Sequence, residues 1–386
     1  MIAIVTGGAL PAFLTGGVSV QLRADLGFGE SGLGIAIGAF FTAAALSSVM
    51  LGRTAERLGP RTSMRVSAAC STVALLGVAA GARSFATLLV WLAIGGVANA
   101  LAQPAANLFI TKTVAEARLG IAFAVKQSGI PVATLLGGLA VPLVALTVGW
   151  RWAFVVGALM PILGGLTIPA VPAVVAGGIA RTRVDGSPNV PLRPLIVLGA
   201  GIGFGAAAAG TLGAFLVNAA VDAGMAEGSA GLLVSGGSAI GIAVRLFAGS
   251  RADRRNGGHL RVVSLMLIGG ALSYGFYATE RPLLLVLATP IAFGAGWGWP
   301  GLFNLAIARA NPDAPGAASG VTQTGTYLGA VIGPVVFGAA VEAASYRVAW
   351  GLASLFALAG AATIAVGRSL LRRGQMPAIA VPADPL

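Results

Sequence analysis

The sequence predicts an all-α, polytopic membrane protein: twelve transmembrane helices in two pseudo-symmetric six-helix bundles. Three observations carry that expectation. Of 386 residues, 57% are hydrophobic and only 9% are charged, where a soluble domain carries about 25% charged residues. The apolar residues fall into long runs separated by charges and turn residues. The second half of the chain repeats the first at an offset of 196–197 residues. Charge this sparse cannot cover a water-facing surface, which sets aside a soluble enzyme. A net charge of +12 would suggest nucleic acid on a soluble protein. On an apolar chain it marks basic loops beside a membrane. The expected partners are therefore the lipid bilayer and a small-molecule substrate, not nucleic acid.

A spanning helix needs about 20 apolar residues. Runs of that length cover 2–22, 31–51, 64–82, 85–110, 119–145, 151–177, 195–220, 229–249, 260–279, 282–308, 316–341 and 347–367. The first starts almost at Met1 with no basic flank, so it is not read as a cleaved signal peptide; a misassigned start codon is the expectation there. Between the sixth and seventh runs lies a polar, proline-containing stretch with Arg181, Arg183, Asp185, Pro188, Pro191, Arg193 and Pro194. The expected organisation is a bundle over 1–178, a cytoplasmic linker over 179–194, a second bundle over 195–368 and a tail over 369–386.

Seventeen of the 24 Lys and Arg residues fall in one set of alternate loops and the tail. Five (Arg23, Arg83, Arg151, Arg281 and Arg347) fall in the other set. The richer side is cytoplasmic by the positive-inside rule, so both termini are expected inside the cell's inner (plasma) membrane, in a protein expected to be a monomer. Its 58 glycines, about twice average usage, suit closely packed membrane helices. Cys70 is the sole cysteine and His259 the sole histidine, so no intrachain disulfide, His-based metal site or cofactor is expected.

The repeat is specific. Asp25, Gly27, Glu30 and Gly34 match Asp222, Gly224, Glu227 and Gly231; Gly52, Glu56 and Arg57 match Gly249, Asp253 and Arg254. Gly120, Gln127, Gly129 and Gly137 match Gly316, Gln323, Gly325 and Gly333, and Arg151 matches Arg347. Six runs precede the second copy, so both copies have the same orientation. Parallel six-helix halves are the pattern of secondary transporters with a midplane site between them.

The stretch Gly52-Arg-Thr-Ala-Glu56-Arg57-Leu-Gly59-Pro-Arg61, with its shorter copy from Gly249 through Asp253 and Arg254, resembles the loop signature of the major facilitator superfamily, with Glu56 where Asp is usual. The resemblance extends over essentially the whole chain. It implies a gating role for Gly52, Glu56, Arg57, Gly59, Arg61, Gly249, Asp253 and Arg254. Physically, a glycine lets helix ends approach, and an acid at a helix C-terminus opposes the dipole and needs a basic neighbour. Gly120, Gly129, Gly137 and Gly138 partly resemble the glycine motif of the family's antiporters. Lys126 to Pro131 is similar to the family's cyanate-permease-like branch. Trp91-Leu92-Ala93 stands where the family's helix-4 arginine is usual, which counts against a proton-coupled drug antiporter.

All twelve acids lie in loops, helix ends or the tail, so no mid-membrane proton relay is expected. Two cations are different. Lys126 is eight residues past Arg118 and Arg245 six before Arg251, roughly 12 and 9 Å deep at 1.5 Å per residue. Each could snorkel to the interface, pair with Glu56, Glu116 or Asp253, serve a gate, or face the cavity and attract an anion. Asn99, Gln103 and Asn107 lie on one face of segment 4, and an amide stripe faces protein or a wet cavity, not lipid. The resemblance places segments 1, 4, 7 and 10 around the cavity. Trp297, Trp299 and Asn304 on segment 10 join Gln127, Gln323 and Tyr327 as further candidates, one of the two tryptophans being expected in packing or lipid. Gly325, Gly329 and Gly333 form a bare stripe against which a neighbouring helix could pack.

The expected function is alternating-access transport of a small, possibly anionic, organic or inorganic solute; drug or metabolite efflux is the alternative. No His-Glu-x-x-His and no ATP-binding Gly-rich loop occurs, so an enzyme is not expected and transport energy must come from gradients or a partner chain.

Overall fold

The computed structural model describes residues 1–115, 118–168, 192–252, 257–311 and 315–375. Among the described residues there is no strand. The first bundle contains α1 (Ile2–Gly17), α2 (Ser19–Leu26), α3 (Glu30–Gly81), α4 (Phe85–Thr113), α5 (Leu119–Gln127), α6 (Gly129–Ala140), a π-helical turn (Val141–Ala145), α7 (Leu146–Val148) and α8 (Trp150–Leu166). The second contains α9 (Leu192–Asp222), α10 (Glu227–Ala252), α11 (His259–Tyr277), α12 (Pro282–Ile291), a π-helical turn (Ala292–Gly296), α13 (Pro300–Ala310), α14 (Pro315–Ala343) and α15 (Tyr346–Gln375). α3 supplies two spans, the bent α1–α2 pair one and the shorter apolar α8 one, which with the remaining eight gives twelve. The linker expected over 179–194 lies outside the described residues except for its last three.

Five runs read as simple spans are more structured than their hydropathy suggests. The first bends by 72° between α1 and α2. The second and third have no loop between them: both sides of Gly59 are helical, and Gly59 alone departs, with φ 77° and ψ 165°. That φ strains an L side chain but not glycine, and Pro60 then sits where its missing N–H costs the new helix nothing. The fifth and tenth are broken at Ser128 and at Trp297–Trp299, each just before a proline (Pro131, Pro300) that removes a helical N–H.

With twelve spans, the start of α1 and the last turn of α15 lie at one end of the bundle, here the terminal end; the opposite end is the distal end. The stripe on α14 packs on α9. A Cβ on Gly325, Gly329 or Gly333 would overlap the carbonyl oxygens of Gly199, Gly203 and Ala207 respectively. With no hydrophobic force between helices in lipid, such backbone approach provides the van der Waals contact that holds a span in place.

The apolar core shows how the halves sit together. In the distal half one continuous cluster crosses both bundles, joining Phe13, Phe40 and Phe154 to Phe215, Phe337 and Trp350. Toward the terminal end it divides. Leu198, Leu267, Phe303 and Ile364 form one cluster within the second bundle, and Ile4, Met64 and Ala105 a separate one within the first. The apolar core is shared distally and divided toward the terminal end, where α5 and α10 still approach each other.

Gly329→Leu should lower the thermal unfolding temperature of the detergent-purified protein well below that of Gly275→Leu, whose Cβ meets nothing within 4 Å. Overpacking of this kind costs about 1–3 kcal/mol. Equal melting of the two variants would contradict the packing described.

Candidate functional site

Two buried cations lie where the seam between bundles passes through broken helix. Pro131 has no N–H to offer the carbonyl four residues before it, so the Gln127 carbonyl at the end of α5 is released from the helix. Trp297 follows the π-helical turn with φ −123° and ψ 0° and precedes α13, so its carbonyl also lies outside regular helix. Arg245 on α10 takes both. Its Nη1 donates to the Gln127 oxygen at 2.8 Å and its Nη2 to the Trp297 oxygen at 2.5 Å. The guanidinium lies 5.9 Å from the Trp297 ring centroid, and Nε has no hydrogen-bond partner. One side chain thus bridges first and second bundles through neutral dipoles, which solvate the positive charge without cancelling it.

Lys126 adjoins this tie in sequence. It is 4% exposed, and Arg245 is 7% exposed. Lys126 has no hydrogen bond or ion pair among the described residues. Of the acids that could have paired with either cation, Glu56 bonds neither, and Glu116 and Asp253 lie outside the described residues. A buried ion without a counter-charge is costly, about 2.5–3.5 kcal/mol at the centre of a span on insertion scales.

The structure separates the other nominated residues. Trp297 is central: its ring meets Phe13 of α1 at 5.7 Å and Phe293 at 5.9 Å between centroids. Trp299 is packing, its indole N–H donating at 2.9 Å to the Gly296 carbonyl that Pro300 leaves free. Along α4, Asn99 is buried with its Oδ1 unpartnered, Gln103 is half-buried and Asn107 is exposed. The amide stripe therefore runs outward toward the terminal end, in step with the parting of the bundles. Asn304 is exposed there too, while Gln127, Gln323 and Tyr327 are half-buried. Among the described residues no side-chain hydrogen bond joins these to Lys126.

The gating stretch differs from expectation at its first glycine. A Cβ on Gly52 would meet nothing within 4 Å, whereas one on Gly249 would stand 3.1 Å from the Ala124 Cβ. The close approach exists in the second copy, between α10 and α5, and not in the first. Gly59 is the turn between spans; Glu56 and Arg57 are exposed and Arg61 is half-buried. Asp253 and Arg254 lie outside the described residues.

The sequence did not single out the residues that close the distal end. Glu30, expected at a helix end, does begin α3, but it is only 9% exposed and three donors converge on it. Arg23 forms a salt bridge with it, the Tyr346 hydroxyl donates to Oε1, and Asn218 Nδ2 donates to Oε2 at 3.2 Å. Ser19 Oγ donates to Asn218 Oδ1 at 2.9 Å. Gln21 donates to Glu227 at 3.1 Å, and Glu342 accepts the Ser31 N–H at 2.9 Å. These bonds join the two bundles, and Glu342 also places a carboxylate at the start of α3, where the dipole favours it. Glycine closes what remains: Gly16 abuts the Gly213 backbone, Gly34 the Pro334 carbonyl and Gly138 the Gly231 carbonyl. The available signal was the repeat itself, since Glu30 and Glu227 are mates and both bond across the seam.

Two parallel six-helix bundles, tied by polar bonds at one end and with a divided core at the other, have the architecture of a membrane carrier. The Major Facilitator Superfamily profile matches residues 2–178 and 195–379, and the chain belongs to that family of transporters. It is similar to a chloramphenicol resistance protein of Streptomyces lividans, 29% identical over 338 residues, covering 84% of this chain and 83% of that protein. Its fold is similar to the crystal structure of a D-xylose-proton symporter (TM-score 0.75, 16% identity, 94% of this chain and 95% of that one). It is similar too to a bacterial homologue of the human lysosomal transporter Spinster, solved inward-facing and occupied (TM-score 0.71, 16% identity, 96% and 95%). The chain is thus a multi-pass membrane transporter, and the family implies a small-molecule substrate.

Glu30→Gln keeps the shape of the distal network but removes its charge and turns an amide N–H either toward Asn218 or toward Arg23 and Tyr346. Hydrogen bonds to charged groups contribute about 1.5–3 kcal/mol each, so the sealed population should fall roughly tenfold or more. Spin labels at Ser84 and Ala344, in a Cys70→Ala background, should report longer distances in the variant. An unchanged distribution would remove Glu30 from the seal.

Proposed function

We propose that the chain transports a small anionic solute by alternating access, with Lys126 as the anion's contact and Arg245 as the cation that links the occupied site to the seam. The observation that carries this reading is the buried pair itself: two cations at similar depth, one bonded only to carbonyls and the other to nothing among the described residues. An anion arriving between the bundles would supply the missing charge. Its binding would favour closure of the terminal end, because closure removes water from a compensated site instead of from two repelling ions. The amide stripe from Asn107 to Asn99 offers neutral donors and acceptors along the approach, and Trp297 a rigid wall beneath Arg245.

In this reading the terminal end faces the cytoplasm of the plasma membrane, following the basic loops, and the conformation described is inward-facing. Glu30, Asn218 and Tyr346 form the outer gate. The energy comes from a solute or ion gradient.

Efflux of an uncharged drug or metabolite is the second reading, favoured by the similarity to the Streptomyces lividans resistance protein. Proteoliposomes distinguish the two. Uptake of a panel of small carboxylates and inorganic anions should exceed that of neutral dyes and chloramphenicol, and Lys126→Ala should cut it by roughly tenfold or more, the worth of one desolvated charge contact. Chloramphenicol transport that survives Lys126→Ala, with no anion carried, would replace the anion reading with the efflux one.

A further inference from the structure

Away from the seam, the terminal end of the second bundle carries a basic cavity that the transport mechanism does not use. It measures about 410 Å³ and is lined by Gly257, Gly258, His259, Arg309, Arg368 and Arg372. A second, larger space of about 700 Å³ continues from the same Gly257, Gly258 and His259. It runs between α10, α11 and α12 as an apolar groove past Phe247, Val262, Met266 and Ile291. Phe247 is 63% exposed and Ile291 47%, so the groove opens on the outer face of the bundle, where lipid lies. Arg251 rests over the Phe247 ring at 5.3 Å and Arg261 stands at the groove's mouth.

The two spaces differ in chemistry but join end to end. One offers guanidinium groups at the depth of the interface; the other offers a hydrocarbon-lined channel running into the membrane. No Asp or Glu is among the described residues that line either. Five arginines line the two spaces: Arg309, Arg368 and Arg372 the first, Arg251 and Arg261 the second. Guanidinium groups gathered this closely repel one another unless an anion is shared, and their planar fork fits phosphate. The geometry points to a binding site for an anionic phospholipid of the leaflet at the terminal end, its phosphate held by Arg368 and Arg372 and one acyl chain laid in the groove past Val262 and Met266. Basic pockets between membrane helices take anionic headgroups for the same physical reason. A free phosphate would use the arginines but leave the groove empty, so the continuity of the two spaces favours the lipid. Such a lipid would bind the outside of one bundle and leave the substrate path clear.

The test uses the full-length protein, delipidated in detergent. Phosphatidylglycerol, added back at increasing concentration, should raise its melting temperature, while phosphatidylcholine and inorganic phosphate should not. Arg368→Gln/Arg372→Gln should weaken the phosphatidylglycerol effect roughly 10- to 30-fold, as expected for two interfacial cations. Val262→Trp, which fills the groove and keeps every arginine, guards against a double variant that fails to fold. It should weaken binding of long-chain phosphatidylglycerol too. Stabilisation by phosphate alone, equal stabilisation by phosphatidylcholine, or a phosphatidylglycerol effect undiminished in both variants would each overturn the proposal.

Discussion

A single guanidinium ties the two bundles where each has lost its regular helix. Arg245 can lie buried only because Gln127 and Trp297 present carbonyls that no helical N–H occupies. The Gln127 carbonyl is available because Pro131 removes the N–H that would have bonded it, and the Trp297 carbonyl because Trp297 leaves helical geometry after the π-helical turn. Carbonyl dipoles satisfy the guanidinium's hydrogen bonds but leave its charge. Lys126, next to Gln127 in the chain, is a second buried cation without a hydrogen bond or ion pair among the described residues; under the proposed function an arriving anion would complete the site.

The distal end is built on the opposite principle. There the buried charge, Glu30, is compensated within the protein by Arg23 and supported by Asn218 and Tyr346. The rest of the seal is glycine against backbone, which needs no rearrangement of side chains to open or close. A rigid-body rocking of one bundle against the other would break a few polar bonds and several close backbone contacts distally while bringing the divided cores together at the terminal end. Under the proposed function the anion site and the distal gate would lie at different depths of the same interface, as an alternating-access cycle requires.

Much of the fold was legible because lipid imposes strict rules. Twelve apolar runs, their basic flanks and the repeat follow from hydropathy and charge alone, and the Gly325–Gly329–Gly333 stripe needed only a helical period. The breaks were visible as Pro131 and Pro300, but not what their released carbonyls would bind, since Arg245 lies 118 and 52 residues from its two acceptors. Glu30 escaped notice because a helix-end acid normally faces water. Its burial depends on Asn218 and Tyr346, 188 and 316 residues away, and no local pattern carries such pairing. Gly52 shows the reverse: its motif implied a close approach that exists in the second copy and not in the first.

The most direct test of the central claim is to locate an anion. Anomalous scattering from crystals grown in bromide should place a bromide ion against Lys126 Nζ, on the side facing Arg245, with the two Arg245–carbonyl bonds intact. A Lys126 ammonium bonded to a protein carboxylate, with no bromide between the bundles, would show that the chain compensates its own charge and would contradict the account.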